Sequence, residues 1–105
     1  MGQFSGKVAV ITGGGSGVGK ATAARFLADG ARVAIAGRDV GRLRTAAAEL
    51  GGGDDLLYHA CDVSHPEQAE ALIRAAIAKF GRLDILVNNA GTNIKARTFR
   101  ELTPA

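Results

Sequence analysis

The sequence predicts an α/β fold in which helices alternate with the strands of one parallel sheet. Short apolar runs rich in β-branched residues alternate with longer stretches of helical periodicity, in the order βαβαβαβ. Glycine is frequent, with 15 residues, and clusters at 13–19 and 51–53, between these elements. This order of elements implies parallel strands joined by right-handed crossovers, and 105 residues suffice for one domain.

The first half of the chain contains two predicted strands and two predicted helices. An apolar strand at 7–12 runs into glycines, and a helix follows at 18–29. A second buried strand is predicted at 32–37. Asp39 has the side chain to cap a helix that ends at the glycines of 51–53. The apolar residues of that helix are expected on one stripe: Val40, Leu43, Ala47 and Leu50.

The second half predicts two more strands with one helix between them. The strand at 56–61 is followed by Ser64 and Glu67, which have the spacing of a capping box for the next helix. A fourth strand is predicted at 84–88, and residues 103–104 indicate the start of a further helix. The helix between the strands places six apolar residues on one face: Ala69, Leu72, Ile73, Ala76, Ile77 and Phe80.

Composition and charge exclude several classes of protein. Hydrophobic residues make up 47% and charged residues 22%, as in a globular domain rather than a disordered chain. The net charge of +3 comes from dispersed Lys and Arg, so no nucleic-acid partner is predicted. No apolar stretch approaches the roughly 20 residues that span a membrane, and the first residues lack the apolar core of a signal peptide. Cys61 is the one cysteine, which excludes an internal disulfide, and a cytoplasmic protein without a membrane partner is expected.

The glycine-rich segment at 12–19 reads Thr-Gly-Gly-Gly-Ser-Gly-Val-Gly and joins the first strand to the first helix. A phosphate can approach such a backbone closely because side chains are absent, and the amides at the helix start attract an anion. Gly19 is expected to let the helix pack close to the sheet. The spacing differs from the usual dinucleotide pattern Gly-x-Gly-x-x-Gly, but the strand–loop–helix context predicts a phosphate site.

A P-loop of a nucleotide phosphotransferase is an alternative interpretation of the same segment. Gly14, Gly19 and Lys20 fit the pattern Gly-x-x-x-x-Gly-Lys. That pattern continues with Ser or Thr to hold magnesium, whereas this chain has Ala21, and Thr22 comes one residue late. The alternative predicts magnesium-dependent ATP binding by Lys20.

Two further segments lie at the predicted carboxyl ends of strands, where open α/β sheets bind ligands. Cys61-Asp62-Val63 follows the third strand, and Asn-Asn-Ala-Gly at 88–91 follows the fourth. Together with the glycine segment, these motifs closely resemble the classical short-chain dehydrogenases/reductases, in order and spacing along essentially the whole chain. The resemblance implies a Rossmann-type parallel sheet of strand order 3-2-1-4 in a three-layer sandwich. Residues 1–105 then form the N-terminal part of a single NAD(P)-binding domain.

The resemblance also implies roles for individual residues. In this family the segment 17–19 meets the pyrophosphate, the carboxylate matching Asp62 accepts a hydrogen bond from the adenine amino group, and Val63 serves the adenine ring. Residues 89–91 line the ribose, and the two asparagines also tie the central strands together. A capping or turn role for Asp62 and a purely structural role for the asparagines stay open. The predicted cofactor-binding residues are Gly13, Gly15, Ser16, Gly17, Val18, Gly19, Arg38, Asp62, Val63, Asn89, Ala90 and Gly91.

The residues after the second strand bear on the choice between NAD and NADP. A carboxylate roughly 20 residues past the glycine turn would bond the ribose 2′-hydroxyl of NAD, but that position is Gly37. Arg38 follows and can pair with a 2′-phosphate, so NADP is favoured over NAD. Asp39 either caps the helix or repels that phosphate, and a solvated surface charge is the alternative role for Arg38.

Other polar residues are not expected to carry chemistry. His59 and Cys61 share a strand face, but His65 lies beyond the strand and a fourth ligand is lacking, so no metal site is predicted. Cys61 is expected to be a small buried residue. Arg42 and Arg44 are assigned to the solvated face of their helix.

No catalytic residue is predicted in these 105 residues. The family uses a Ser, a Tyr and a Lys four residues after the Tyr, whereas the one tyrosine, Tyr58, has Asp62 at that spacing. The fold is therefore interpreted as truncated and inactive alone, with the catalytic residues expected beyond Ala105. The whole protein is expected to be an NAD(P)-dependent oxidoreductase of alcohols or carbonyls and, as the resemblance implies, a homo-oligomer, either a tetramer or a dimer. A non-catalytic nucleotide-binding module is a further alternative, and it predicts a stable, soluble protein of this length.

Overall fold

Strands and α-helices alternate in the computed structural model, which describes residues 2–15 and 17–89. The elements are, in chain order, β1 (Val8–Thr12), α1 (Gly17–Ala28), β2 (Arg32–Gly37), α2 (Val40–Leu50), a 3₁₀ turn (Gly53–Asp55), β3 (Leu56–Ala60), α3 (Pro66–Phe80) and β4 (Ile85–Asn88). The predicted alternation is confirmed, and the predicted bounds of β1, α1, β3 and β4 differ by one residue. The helix predicted to begin at 103–104 lies outside the described residues.

The strands of this part of the chain form one parallel sheet in the order β3-β2-β1-β4. β1 lies inside the sheet, where Ala9 pairs with Val33 of β2 and with Ile85 of β4. The pairing of β1 with β2 continues past the strand ends, because the Gly14 N–H donates to the carbonyl of Ala36 at 3.1 Å. The predicted order 3-2-1-4 is confirmed, and the carboxyl ends of all these strands lie along one edge of the sheet.

Helices cover both faces of the sheet, which confirms the predicted three-layer sandwich. α1 and α2 pack on one face, where Ile11 and Ile35 are fully buried. α3 packs on the other face against Val10 and Ala34. β1 is buried along its whole length because helices lie on both sides of it. β4 forms an edge of the sheet within the described residues and is only half-buried at 85–87.

The apolar faces of the helices largely follow the predicted pattern. On α2, Leu43 is buried, whereas Val40 is 47% exposed, so the contact with the sheet begins after the first turn. The predicted face of α3 is confirmed, with five residues buried and Ile77 half-buried beside them. Within residues 2–15 and 17–89, no helix is long and apolar enough to cross a membrane.

The start of α3 differs from the predicted capping box. The N-cap is His65, whose side chain makes no capping hydrogen bond, and Pro66 is the first helical residue. Proline favours the first helical position because its φ is already helical and because a backbone N–H at that position would have no acceptor within the helix. The helix therefore starts one residue later than a box with Ser64 as its cap requires. The Ser64 hydroxyl instead donates to Oδ1 of Asp62 at 2.6 Å.

Candidate functional site

A cleft of about 390 Å³ opens at the carboxyl edge of the sheet, and its volume lies in the usual range of small-molecule sites. Six of the predicted cofactor-binding residues line it: Gly13, Gly15, Arg38, Asp62, Val63 and Asn89. Three others form the first turn of α1: Gly17, Val18 and Gly19. The remaining three lie outside the described residues: Ser16, Ala90 and Gly91.

Three glycines of the glycine-rich segment at 12–19 are required by the fold: Gly13 and Gly14 in the loop after β1, and Gly19 in the first turn of α1. A Cβ on Gly14 would lie 2.5 Å from the Cβ of Ile35, and a Cβ on Gly19 would lie 2.0 Å from the carbonyl oxygen of Gly13. Gly13 has a φ of 68°, in the left-handed region that glycine adopts without strain. The close packing predicted for Gly19 is confirmed, because it brings the start of α1 against the end of β1.

Gly17 differs from these three glycines. A Cβ added there would meet no atom of the described residues within 4 Å, and Gly17 is exposed at the start of α1. Packing within residues 2–15 and 17–89 therefore does not account for a glycine at this position. The backbone at the start of α1 is therefore open on this side, and backbone amides at a helix N-terminus attract negative charge.

Two arginines line the cleft next to the end of β2. Arg38 directly follows β2, and Arg42 lies in the first turn of α2, where its Cβ would be 3.4 Å from a Cβ on Gly15. Neither guanidinium forms an ion pair with any residue that the structure describes. Asp39 lies between Arg38 and Arg42 in the sequence, and its Oδ1 accepts a hydrogen bond from the backbone N–H of Arg42 at 3.1 Å. The predicted cap of α2 is confirmed, and the Asp39 carboxylate is engaged at the helix start.

Arg42 is a cleft residue that the sequence analysis missed. Arg42 and Arg44 were both assigned to the solvated face of α2, and both are exposed. Their exposure is therefore confirmed, and Arg42 in addition lines the cleft, a role that was not predicted for it. The signal was its distance of three residues from the cap Asp39, which places it in the first turn, at the same edge of the sheet as the glycine loop.

Asp62 is held by its neighbours after β3. Its Oδ1 accepts hydrogen bonds from the Ser64 N–H at 3.0 Å and from the Ser64 hydroxyl at 2.6 Å. The Asp62 N–H donates to Oε1 of Gln68 at 2.6 Å. The two bonds from Ser64 lower the pKa of the Asp62 carboxyl the most. Desolvation opposes them in part, and the nearby His65 and Arg38 add smaller lowering effects. Asp62 is therefore an ionised acceptor on the cleft wall, and it also has the turn role that the sequence left open.

Thr12 joins the carboxyl ends of β1 and β4. Its buried hydroxyl donates to Oδ1 of Asn88 at 2.9 Å and accepts a hydrogen bond from the Asn89 N–H at 3.0 Å. The link between central strands that was predicted for the two asparagines is therefore confirmed, and it passes through Thr12. The signal for Thr12 was its place as the one hydroxyl side chain at the end of a fully apolar strand.

The described residues contain no group of three or more His, Cys, Asp or Glu side chains that could hold a metal ion. His65 Nε2 lies 3.6 Å from Oδ2 of Asp62, at the surface. Cys61 is buried, as predicted. Burial and the neighbouring Asp62 raise the pKa of the Cys61 thiol, which makes it a poor nucleophile at neutral pH.

Comparison with known proteins gives relatives along most of the chain. The profile of the family described as short chain dehydrogenase matches residues 7–105. The chain is 44% identical over 97 residues to an uncharacterized oxidoreductase of Mycobacterium bovis, and this match covers 92% of the chain and 39% of that protein. It is 43% identical over 89 residues to L-fucose dehydrogenase of Bos taurus, which covers 85% of the chain and 32% of that protein.

Solved structures of other proteins have the same fold. The 3-ketoacyl-(acyl-carrier-protein) reductase from Brucella melitensis, complexed with NADH, matches with a TM-score of 0.75 and 44% identity over 80% of this chain and 34% of that one. A variant of actinorhodin polyketide ketoreductase with NADPH matches with a TM-score of 0.78 and 32% identity over 97% of this chain and 42% of that one. The chain spans less than half the length of each of these proteins. The profile match, the identities and the strand order establish that the chain belongs to the short-chain dehydrogenase/reductase family.

Proposed function

We propose that this chain binds NADP(H), as the N-terminal part of a single Rossmann domain in an oxidoreductase that interconverts alcohols and carbonyls. The observation that carries the proposal is the cleft at the carboxyl edge of the sheet, which is lined by Gly15 of the loop before α1 and by Arg38 and Asp62. The nicotinamide of such a cofactor accepts or donates a hydride when it is bound. The substrate class is proposed for the whole protein from relatives that are named as dehydrogenases or ketoreductases.

Each part of the dinucleotide has candidate residues in or beside the cleft. We assign the pyrophosphate to the loop and first helical turn at 13–19, where amides and the helix dipole favour an anion. We assign the adenine to Asp62 and Val63, which follow β3, and the ribose to 89–91, after β4. These assignments follow the resemblance in the motifs, and the grouping of residues around one cleft supports them.

The charges beside β2 support NADP rather than NAD. Gly37 has no side chain for a ribose hydroxyl, and the Arg38 guanidinium forms no ion pair with the described residues. The Asp39 carboxylate, which would repel a phosphate, bonds the N-terminus of α2. A guanidinium binds a phosphate in a bidentate, charge-assisted way. Relatives have been solved with NADH and with NADPH, so the proposal depends on these residues of this chain.

The substitution Arg38→Ala tests the preference. Fluorescence titrations of the full chain with NADPH and NADH should show that the NADPH affinity falls at least about tenfold more than the NADH affinity. Arg44→Ala is the matched control, because it removes an exposed arginine of the same region that does not line the cleft. An unchanged ratio of the two affinities in Arg38→Ala would contradict the NADP assignment and leave dinucleotide binding intact.

The P-loop alternative has less support. Its lysine, Lys20, forms an ion pair with Glu49 of α2, and Ala21 has no hydroxyl for magnesium. The alternative predicts that ATP with magnesium competes with NADPH for the loop. NADPH binding that ATP and magnesium leave unchanged would exclude it. A non-catalytic binding module predicts NADPH binding by the whole protein without turnover of any alcohol or ketone.

For the whole protein we further propose a cytoplasmic location and a homo-oligomer, a tetramer or a dimer, without a nucleic-acid or membrane partner. The single cysteine and the dispersed basic residues support the location and the absence of those partners. Light scattering coupled to size-exclusion chromatography tests the assembly, and a monomer at micromolar concentration would contradict it.

A further inference from the structure

We propose that Ser64 is a positioning residue that lets the cleft distinguish adenine from purines that lack an amino group. Ser64 donates hydrogen bonds to one oxygen of the Asp62 carboxylate and thereby leaves the other oxygen for the ligand. This inference rests on the proposed binding of a dinucleotide in the cleft. It adds a residue that neither the glycine motif nor the Asp-Val pair contains.

The hydrogen bonds of Asp62 are distributed unequally between its two oxygens. Both donors of Ser64, the N–H at 3.0 Å and the hydroxyl at 2.6 Å, are bonded to Oδ1. Oδ2 accepts no hydrogen bond from the described residues: His65 Nε2 lies 3.6 Å away, which is longer than a hydrogen bond, and the Arg38 guanidinium acts on the carboxylate by its charge without forming an ion pair. Asp62 lines the cleft, and its side chain is 30% exposed. Oδ2 is therefore the oxygen that remains for a ligand.

The backbone around Asp62 is fixed independently of the Ser64 hydroxyl. The Asp62 N–H donates to Gln68 Oε1 at 2.6 Å, and the Asp62 carbonyl accepts the His65 N–H at 3.1 Å. The preceding Cys61 N–H donates to the carbonyl of Gly37 at 2.8 Å. Removal of the hydroxyl should therefore leave the chain path in place and release one restraint on the rotation of the Asp62 side chain.

The fixed carboxylate has a definite chemical preference. An ionised carboxylate only accepts hydrogen bonds, and the donors of Ser64 help to keep Asp62 ionised. The group that meets Oδ2 must then be a donor, as the exocyclic amino group of adenine is. Hypoxanthine carries a carbonyl oxygen at the same position, and two acceptors held face to face repel each other. A carboxylate that can rotate toward solvent avoids this repulsion, so the loss of Ser64 should reduce the discrimination.

The experiment compares NADPH with its reduced hypoxanthine analogue in fluorescence titrations of the full chain. The wild type should prefer NADPH by about tenfold, and Ser64→Ala should reduce this preference at least about threefold. Ser64→Thr keeps the hydroxyl and should restore the preference. Ser64→Gly is a second substitution that removes the hydroxyl, and it should reduce the preference as Ser64→Ala does. Thr45→Ala, which removes an exposed hydroxyl of α2, is the matched control and should keep the wild-type ratio.

The Tm of every variant is measured beside the titrations to separate binding from stability. Ser64 is exposed, so loss of its hydroxyl should leave Tm unchanged. A wild-type preference that survives in Ser64→Ala and in Ser64→Gly would overturn the positioning role while the proposed function stands. Equal binding of both cofactors by the wild type would overturn the adenine contact but not dinucleotide binding. Failure of the wild type to bind either cofactor would overturn the proposed function and this inference together.

Discussion

The two ends of the parallel sheet use their polar groups differently. At the amino end, Asp84 accepts hydrogen bonds from the Val8 N–H at 2.9 Å and from the Arg82 guanidinium at 2.7 Å. In the same region, Asp29 accepts a hydrogen bond from the Phe4 N–H at 2.8 Å. The carboxylates at this end therefore bind donors of the protein itself.

At the carboxyl end, several polar groups face the cleft instead. Arg38 and Arg42 form no ion pair with the residues that the structure describes. Of the two carboxylate oxygens of Asp62, only Oδ1 accepts hydrogen bonds from these described residues, and both come from Ser64. Gly17 leaves its backbone open. Substitutions of the buried polar contacts at the amino end should therefore change the free energy of unfolding. Substitutions of the exposed groups at the carboxyl end should change the affinity for the cofactor.

The largest effects are expected from two glycines at the carboxyl end of the sheet, one on NADPH affinity and the other on the free energy of unfolding. Gly17→Ala should weaken NADPH binding more than about tenfold, because the methyl group occupies the approach of the phosphate. Its Tm should stay constant or rise slightly, since Ala is favoured over Gly in a helix by about 0.5–1 kcal/mol. Gly19→Ala should lower the free energy of unfolding by about 1–3 kcal/mol, because the new Cβ would lie 2.0 Å from the carbonyl oxygen of Gly13.

Thermal unfolding and NADPH titration of the two glycine variants measure this separation. An equal loss of Tm in both variants would show that Gly17 is also required for packing. The expected difference between the two ends of the sheet would then fail at Gly17.

Hydrophobic periodicity was sufficient to predict the strands and helices because the core determines them. β1 and β2 are apolar runs that helices cover on both faces, and α3 buries the stripe that its spacing indicates. The strand order came from the family resemblance, since periodicity carries no information on which strands are neighbours.

Local competition between polar groups was not predictable from the sequence. Ser64 has the spacing of a capping box with Glu67 and also the reach to Asp62, and the preference of Pro66 for the first helical position decides between them. Arg42 has the pattern of a surface residue, and only the placement of the first turn of α2 beside the glycine loop brings it to the cleft. In both cases three-dimensional proximity determines the role.

An intermediate effect is expected from Asp84→Ala at the amino end of the sheet. The substitution leaves the buried N–H of Val8 without its acceptor and should lower the free energy of unfolding by about 1–3 kcal/mol at neutral pH. The affinity for NADPH should not change, because Asp84 lies at the opposite end of the sheet from the cleft. Urea unfolding and cofactor titration measure the two quantities separately.

The stability difference between the wild type and Asp84→Ala should depend on pH in a definite direction. Burial raises the pKa of Asp84, but the bonds from Arg82 and from the Val8 N–H, together with the charges of Arg82 and Lys7, outweigh this effect, so the pKa in the folded state is lowered. The contribution of the ionised carboxylate is therefore present above the ordinary aspartate pKa of about 3.9 and is lost as the pH falls through the lower folded value. A difference that stays constant from pH 7 to pH 2.5 would contradict this account.

The smallest expected effect belongs to Arg42→Ala. Arg42 is exposed and lines the same cleft as the proposed 2′-phosphate residue Arg38, so it should contribute about two- to fivefold to NADPH affinity and little to NADH affinity. The contribution should decrease as the salt concentration rises. Titrations at low and at high ionic strength measure it, with Arg44→Ala as the control. A loss for NADH equal to that for NADPH would remove Arg42 from the phosphate side of the cleft.

The position of β1 between its two partners bears on how the cleft forms as the chain folds. Ala9 pairs with Val33, 24 residues later, and with Ile85, 76 residues later. The entropic cost of closing a loop grows with its length, so we expect β1 to pair with β2 before it pairs with β4. On a ribosome, the glycine loop and Arg38 are already synthesised while Asp62 and Asn89 are still to be added. We therefore expect the proposed phosphate side of the cleft to assemble first, and the proposed adenine and ribose sides to complete it from the later half of the chain.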